Sequence, residues 1–348
     1  MGGELQMGEN WKEGSGGLPR PDEVSAVMTV YNNADQLAKF FESFLEQTYP
    51  VREIEFVIVD AGSTDGTVEV AKKYSEKLPK LKIMVEPGCN ISRGRNLGIR
   101  ETKGRYILTF NSDVRLEKNC VEELLKVLME HPEAGGVAGM QVFPESQNFV
   151  AKCVYFIPGM AQVSLVTTPT LKEKDIVETH SVPCECGVWR REALPEGLFD
   201  EKIQWGEDSE FHFRMMKSGW KIYGTRRARF EHFYKSSVRK FWRQQVAYGY
   251  GAGLMFRLGK EIGWGFRWKK YVALFLPFAV VAWAVLTAFW PILGLLLFIL
   301  GISPLLLISV KAAVAGGPKF FPGVFSLLIV KYFANEVGFW KALLRRSP

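Results

Sequence analysis

The alternation of strand-like and helix-like segments constrains the fold of this chain more than any other feature. Apolar runs of strand length occupy 24–30, 54–59, 81–85 and 106–110, and a helical spacing of apolar residues separates each run from the next. Strands that alternate with helices at this spacing form a parallel, doubly wound sheet. Ligands bind such a sheet at the carboxyl ends of its strands, so the residues that follow each run are candidates for a functional site.

The same alternation continues in the second half of the soluble region, with one interruption. Residues 149–175 mix aromatic, Thr and Pro residues without a clear period, and we expect an irregular loop that covers the cleft. The other predicted elements are helices at 118–130 and 207–217 and strands at 136–143, 187–191 and 220–223.

The last quarter of the chain has the composition of a membrane region. Residues 272–290 and 292–310 carry no charge, and each run is just long enough for a transmembrane helix, which needs about 20 apolar residues. Pro291 would make the bend between them. A third apolar segment, 320–340, contains charged residues, so an interfacial and a spanning helix both remain open. Basic residues flank the pair, which by the positive-inside rule predicts a multi-pass cell-membrane protein with both ends in the cytoplasm.

A basic amphipathic stretch precedes this membrane region. Residues 236–258 interleave aromatic and basic side chains, and the whole chain has a formal net charge of +7. This pattern suits an interfacial helix on anionic membrane lipids. It also suits nucleic acid, but no nucleic-acid-binding motif accompanies it, so we expect no nucleic-acid partner.

These patterns predict four regions. They are a flexible lead at 1–23, a catalytic domain at 24–235, basic interfacial helices at 236–270 and a membrane region at 271–348. The lead has no apolar signal segment, so the catalytic domain is expected to stay in the cytoplasm. The five cysteines are odd in number and lack zinc-site spacing, which predicts reduced thiols.

Several polar motifs follow the predicted strands and together resemble one family. They are VSAVMTVYNNADQL, FVIVDAGSTDGT, SRGRNLGI, GRYILTFNSDVRL, GLFDE and WGEDSEFHFRMMKSGWKI. In combination they resemble the family 2 glycosyltransferases with the GT-A fold, over about residues 24–256. That fold is α/β: a Rossmann-like, mostly parallel sheet flanked by helices, here followed by C-terminal amphipathic and transmembrane helices. The late segments look most like membrane-anchored sugar transferases of the succinoglycan-biosynthesis branch.

The resemblance implies a binding site for a nucleotide-sugar donor, a UDP- or GDP-sugar. The implied donor-binding residues are Val30, Tyr31, Asn32, Asp60, Arg95, Asn96, Asn111 and Ser112. Asp60 would accept from the base or ribose, although it also fits the cap of the turn that follows it. Arg95 would supply fixed positive charge for the diphosphate.

The resemblance also implies a metal ion and a catalytic base. Asn111-Ser112-Asp113 matches the family's D-x-D motif, so Asp113 would bind Mg²⁺ or Mn²⁺ at the donor diphosphate. Asn111 stands where the family usually has Asp, which lowers the charge of the site. His232 follows a late strand and is a second candidate ligand. Asp208 is the predicted catalytic base of an inverting transfer, because one carboxylate must take the proton of the acceptor hydroxyl.

The acceptor is expected to be a lipid-linked or growing glycan. Glu207, Cys186, Gly187 and Trp189 occupy positions that line the acceptor site in family members, and Trp189 would stack on a sugar. The predicted activity is therefore that of a metal-dependent hexosyltransferase of glycan biosynthesis. Two alternatives stay open: a dolichyl- or polyprenyl-phosphate sugar synthase, and a catalytically inactive domain kept for binding partners.

Overall fold

The computed structural model describes residues 17–160, 173–259 and 269–345. Within these ranges the strands belong to one sheet. They are β1 (Val24–Val30), β2 (Glu55–Asp60), β3 (Leu81–Val85), β4 (Tyr106–Asn111), β5 (Val114–Leu116), β6 (Ala134–Gln141), β7 (Ile176–Thr179), β8 (Cys186–Arg190) and β9 (Lys221–His232).

The sheet has a parallel half and a mixed half. Its order is β3-β2-β1-β4-β8-β6-β9-β5, and β7 pairs with β9 outside this path. The strands from β3 to β4 are parallel, as the alternation predicts. β8 is antiparallel to both of its neighbours, β4 and β6. The register sets Val30 opposite Asp60 and Thr29 opposite Asn111, so the carboxyl ends of the parallel strands lie level at one edge.

Helices cover the sheet and bury its aromatic core. They are α1 (Ala34–Leu45), α2 (Thr67–Tyr74), α3 (Ile91–Glu101), α4 (Cys120–Glu130), α5 (Phe149–Tyr155) and α6 (Glu207–Lys217). Phe40 and Phe44 of α1 point at the sheet, with ring centroids 5.3 Å from Phe110 and 5.2 Å from Phe56, respectively. Each buried phenylalanine contributes about 1.5–3 kcal/mol, so this cluster fixes α1 against the strands that carry the site.

The C-terminal helices form a second layer. They are α7 (Val238–Arg257), α8 (Lys269–Phe289), α9 (Pro291–Gly316) and α10 (Phe320–Leu344). α7 and α10 are in backbone contact, because a Cβ at Gly249 would lie 2.0 Å from the Asn335 carbonyl oxygen and one at Gly338 equally close to that of Val246. Small residues permit this approach between apolar helices. Phe320 of α10 also stacks on Phe149 of α5 with centroids 5.4 Å apart, which fastens α10 to the domain.

Among the residues that the structure describes, two helices are long and apolar enough to cross a membrane, by length and composition alone. They are α9 and α10, with mean hydropathies of 2.6 and 1.3, and a shorter apolar helix covers Leu274–Phe289. The predicted bend at Pro291 is present, because α8 ends at Phe289 and Trp283 stacks on Phe298 of α9. The number of spans stays a prediction. Lys331 of α10 donates a hydrogen bond to the Pro158 carbonyl of the domain.

Two predicted segments differ in the structure. Residues 1–16 of the expected lead lie outside the described ranges, but 17–23 are held in place, since the Tyr49 hydroxyl donates to the Pro19 carbonyl at 2.9 Å. The expected irregular loop at 149–175 begins instead with α5 and is followed directly by β7, and residues 161–172 lie outside the described ranges.

Candidate active site

Asp60 ends β2 and is 1% exposed. Its Oδ1 accepts hydrogen bonds from the backbone N–H groups of Gly62 and Ser63, at 2.9 and 2.8 Å, which is the turn-capping arrangement. Its Oδ2 is buried and has no hydrogen-bond partner among the residues that the structure describes. An unsatisfied buried acceptor is costly unless a ligand supplies a donor, so one oxygen builds the loop and the other is available to a base or ribose.

The loop after β1 is tied to the loop after β2. Asn32 adopts φ 45, its N–H donates to Ser63 Oγ at 2.8 Å, and its Oδ1 accepts from the Thr64 N–H at 2.8 Å. Tyr31 beside it is exposed, whereas Val30 is buried in β1. These bonds join the predicted nucleotide-binding loops into one wall of the cleft.

The loop after β4 joins the same wall. Asn33 Nδ2 donates to Ser112 Oγ at 2.7 Å. Ser112 is buried, and Asn111 before it directs Oδ1 towards the neighbouring helix α3. The predicted donor residues of β1, β2 and β4 therefore lie along one sheet edge.

Arg95 of α3 connects this edge with the start of α6. It is 3% exposed, and its Nη1 lies 2.9 Å from Glu207 Oε1 and 2.7 Å from Asp208 Oδ1. Its Nη2 donates to Asn111 Oδ1 at 3.3 Å. Two carboxylates balance the charge of Arg95, and its contact with the donor diphosphate stays a prediction. The guanidinium holds the two acids beside the end of β4.

Asn96 has a structural set of contacts. Its Nδ2 donates to the Phe199 carbonyl and to Glu201 Oε1, and its Oδ1 accepts from the Phe199 N–H at 2.9 Å. The amide therefore holds the loop before α6. A contact between Asn96 and the donor stays a prediction.

Glu207 and Asp208 open α6 in different environments. Gly206 before them adopts φ 83, a left-handed conformation that glycine takes at little cost. Burial, and next the charge of Asp208, raise the pKa of Glu207 to about 7. The Asp208 side chain is 20% exposed, and its Oδ2 accepts from the Cys184 N–H at 3.2 Å. Of the two acids, Asp208 is the one that a substrate hydroxyl can reach.

Asp113 and His232 meet at the join of β5 and β9, where His232 pairs with Val114. His232 Nε2 lies 3.6 Å from Asp113 Oδ1 and 3.5 Å from Glu185 Oε2. Burial lowers the pKa of His232, which favours the neutral imidazole that binds metals. Its Nδ1 is buried without a hydrogen-bond partner. The two predicted metal ligands, Asp113 and His232, therefore lie next to each other.

Sequence reasoning missed Glu185. It lies just before β8, is buried, and accepts a hydrogen bond from Gln141 Nε2. Burial, and next the charge of Asp113, raise its pKa well above the ordinary value. The sequence signal for it is the acid between two cysteines in Cys184-Glu185-Cys186. Across residues 17–160, 173–259 and 269–345, no three His, Cys, Asp or Glu side chains form a ready metal cage.

The predicted acceptor residues of β8 are packed in the core, and their contact with an acceptor stays a prediction. Cys186 is fully buried with its Sγ 3.6 Å from that of Cys120, and a Cβ at Gly187 would lie 3.0 Å from the Val137 carbonyl oxygen. Trp189 is 1% exposed, its ring stacks on His212 at 4.8 Å, and its Nε1 donates to Thr109. A ring enclosed in this way has no face open to a sugar.

The fold and this edge of acids and amides define a glycosyltransferase of the GT-A class. The chain belongs to glycosyl transferase family 2, whose family model, described as "Glycosyl transferase family 2", matches residues 25–197. The likeness to the succinoglycan branch stays a prediction.

Individual relatives agree with the family at the level of class. Over 334 aligned residues the chain is 26% identical to a Methanococcus voltae protein, with 92% of this chain and 97% of that protein covered. That protein is named dolichyl N-acetyl-alpha-D-glucosaminyl phosphate 3-beta-D-2,3-diacetamido-2,3-dideoxy-beta-D-glucuronosyltransferase. Glycosyltransferase AglE of Haloferax volcanii is 35% identical over 100 residues, 28% of this chain and 33% of its own.

A solved structure supports the fold. It is a mannosyltransferase from Pyrobaculum calidifontis, solved in complex with GDP-Man and Mn²⁺, with a TM-score of 0.62 at 17% identity. The match covers 90% of this chain and 86% of that one. At this identity the likeness concerns the fold alone.

Proposed function

We propose that this protein moves one sugar, with inversion, from a UDP- or GDP-sugar to a lipid-linked or glycan acceptor at the cytoplasmic face of the membrane. The observation that carries the proposal is the bridge made by Arg95. One guanidinium contacts Asn111 at the end of β4 and both acids of α6. It therefore holds a carboxylate that can act as a base next to the loops that suit a nucleotide.

The chemistry assigned to Asp208 is general-base catalysis. Asp208 takes the proton of the acceptor hydroxyl, the hydroxyl oxygen forms a bond to the anomeric carbon, and the bond from that carbon to the diphosphate breaks with its electron pair on the leaving oxygen. Glu207, buried and with its pKa raised, stays beside Arg95 and helps to fix its position.

A divalent cation, Mg²⁺ or Mn²⁺, fits the residues at the end of β9. Asp113 offers a carboxylate and His232 a neutral imidazole whose other nitrogen is unpartnered, a donor set that suits Mn²⁺. When bound, the cation would neutralise charge on the donor diphosphate. Because the described residues offer no complete cage, the remaining coordination would come from ligand oxygens.

The membrane assignment rests on surface composition. The side chains of Ile292, Leu295, Leu300 and Val314 on α9 are exposed. Contiguous apolar surface of this kind is unstable in water and suits membrane lipids. The relative from Methanococcus voltae bears the name of an enzyme that acts on a dolichyl-linked sugar, which favours a lipid-linked acceptor for this chain as well.

The experiment is hydrolysis of a panel of UDP- and GDP-sugars with Mn²⁺, for the wild type and for Asp208→Asn in detergent. We expect slow hydrolysis of one donor by the wild type and a loss of about 10²-fold or more in the variant, the size of a general-base contribution. Absence of hydrolysis and transfer with every donor would contradict the enzyme and favour the inactive binding domain, for which Asn111 in place of Asp is the main argument.

The polyprenyl-phosphate sugar synthase is the second candidate, and the name of the archaeal relative keeps it open. Once the donor is known, farnesyl phosphate and N-acetylglucosaminyl phosphoryl farnesol are supplied in parallel. Transfer to the sugar-bearing lipid supports the glycosyltransferase proposed here. Transfer to farnesyl phosphate alone supports the synthase.

A further inference from the structure

An exposed aromatic side chain without an assigned role lies just before the acids that open α6. Trp205 lies directly before Gly206, Glu207 and Asp208, and it is 37% exposed. Most large aromatic rings of the catalytic domain are buried, so the exposed indole at this point is unusual. Exposed aromatic faces next to polar groups are typical of binding sites.

The position of Trp205 is fixed by α7. A Cβ at Gly251 of α7 would lie 2.6 Å from both the Cβ and the carbonyl oxygen of Trp205, so helix and loop are in direct contact. The indole lies 5.5 Å from the ring of Tyr248, at an interplanar angle of 60°. The two rings are therefore held at a defined angle beside the start of α6.

Polar groups accompany the two rings. Gln244 Nε2 donates to the Tyr248 hydroxyl at 3.2 Å, and Gln244 Oε1 is buried with no hydrogen-bond partner in the described part of the chain. Burial, followed by the charges of Glu185, Glu207, Asp113 and Asp208, raises the pKa of Tyr248. The phenol is thus close to the same carboxylates that form the proposed catalytic site.

We propose that Trp205, Gln244 and Tyr248 form the binding site for the sugar ring of the acceptor. This inference rests on the proposed function and specifies its acceptor site, which replaces the buried positions of β8. The apolar C–H face of a sugar stacks on an aromatic ring, and its hydroxyls pair with the free Gln244 oxygen and the phenol. A ring bound there lies next to Asp208, the proposed base.

The chemistry of the three side chains favours a neutral sugar over a lipid phosphate. None of the three carries a charge, and the charges that raise the pKa of Tyr248 are those of acids, which repel an anion. A phosphate-binding site would need unpaired cations in these positions.

The test compares variants of this site with matched changes elsewhere on α7. Trp205→Ala, Tyr248→Ala and the conservative Trp205→Phe are assayed with the hydrolysed donor. The acceptor probes are octyl glycosides of glucose, mannose and N-acetylglucosamine, each below its micelle concentration, and farnesyl phosphate. The controls are Trp242→Ala, whose ring packs on Phe333 at 5.8 Å, and Tyr250→Phe, whose hydroxyl accepts from Arg345 Nη1 at 3.0 Å.

We expect the wild type to use at least one octyl glycoside, and both alanine variants to raise the acceptor KM at least about tenfold, equivalent to 1.4 kcal/mol. In the alanine variants the ratio of donor hydrolysis to transfer rises together with the acceptor KM. Trp205→Phe restores most of the affinity for the acceptor, and the two control variants keep the wild-type ratio of hydrolysis to transfer. A merely structural role would lower hydrolysis and transfer together.

Three outcomes overturn the inference. They are an unchanged acceptor KM in the alanine variants, an equal fall of hydrolysis and transfer, and a wild type that hydrolyses the donor but uses none of the glycosides. A wild type that neither hydrolyses nor transfers any donor overturns the proposed function itself, and this site with it.

Discussion

Replacing Arg95 by methionine removes the cation that holds the two acids of α6. The guanidinium is buried and lies 2.9 Å from Glu207 and 2.7 Å from Asp208, so the substitution leaves two carboxylates without their cation. Breaking a buried ion pair by removing one partner costs about 3–5 kcal/mol. For a domain of this size, each kcal/mol shifts the unfolding midpoint by roughly 2–4 °C, which predicts a fall of roughly 6–20 °C.

The assay is thermal unfolding in detergent, followed by tryptophan fluorescence. Arg93→Met is the matched control on the same helix: Arg93 is exposed and pairs with Glu86 at 2.6 Å on the surface, where ion pairs contribute little. We expect no measurable shift for that control. Adding Glu207→Gln to Arg95→Met removes one of the stranded charges and should recover part of the loss. An unfolding midpoint of Arg95→Met within about 2 °C of the wild type would refute the conclusion that Arg95 holds the two acids in place.

Three further predictions concern the acids, the proposed cation and the core. Because the folded pKa of Glu207 is raised from 4.5 to about 7, its contribution to stability is fully present below pH 4.5 and is lost as pH rises through 7. Glu207→Gln should abolish this part of the decline in unfolding midpoint between about pH 5 and pH 8. Parallel curves of midpoint against pH for the wild type and the variant would contradict the pKa shift. Asp113→Ala should abolish Mn²⁺-dependent nucleotide binding measured by calorimetry, and His232→Ala should weaken that binding about 10-fold or more. Unchanged binding in either variant would exclude that residue as a metal ligand. Trp189→Ala should destabilise the domain by about 3–5 kcal/mol in denaturant unfolding, whereas a stable variant with weakened acceptor binding would restore the original acceptor assignment.

The sequence predicts the first half of the fold closely because its signals are local. β1 and β3 have the predicted bounds, and α6 begins at Glu207 as expected from the glycine and acids at its start. The segment at 149–175 was harder, since α5 is only two turns long and Asn148 caps it through a bond to the Ala151 N–H. A helix that short has too few apolar positions to display a period.

The site was predictable in location and less so in its contacts. Asp60 and Asn111 lie at one sheet edge because parallel strands bring their carboxyl ends together. The bond between Arg95 and Asp208, in contrast, spans 113 residues of sequence, and no local pattern indicates it. The burial of Trp189 was not predicted because β8 is buried on both faces, and such a strand lacks the alternation that separates a cleft residue from a core residue.

The insertion of β8 between β4 and β6 has a consequence for biosynthesis. β4 and β6 do not pair with each other, so each exposes an unpaired backbone edge until residues 186–190 have left the ribosome. At about 5–20 residues per second, that interval lasts several seconds after β4 is made. Open strand edges attract other chains, so the nascent protein is prone to aggregation in this interval. Substitutions in β8 should therefore reduce yield more than their effect on the finished fold suggests.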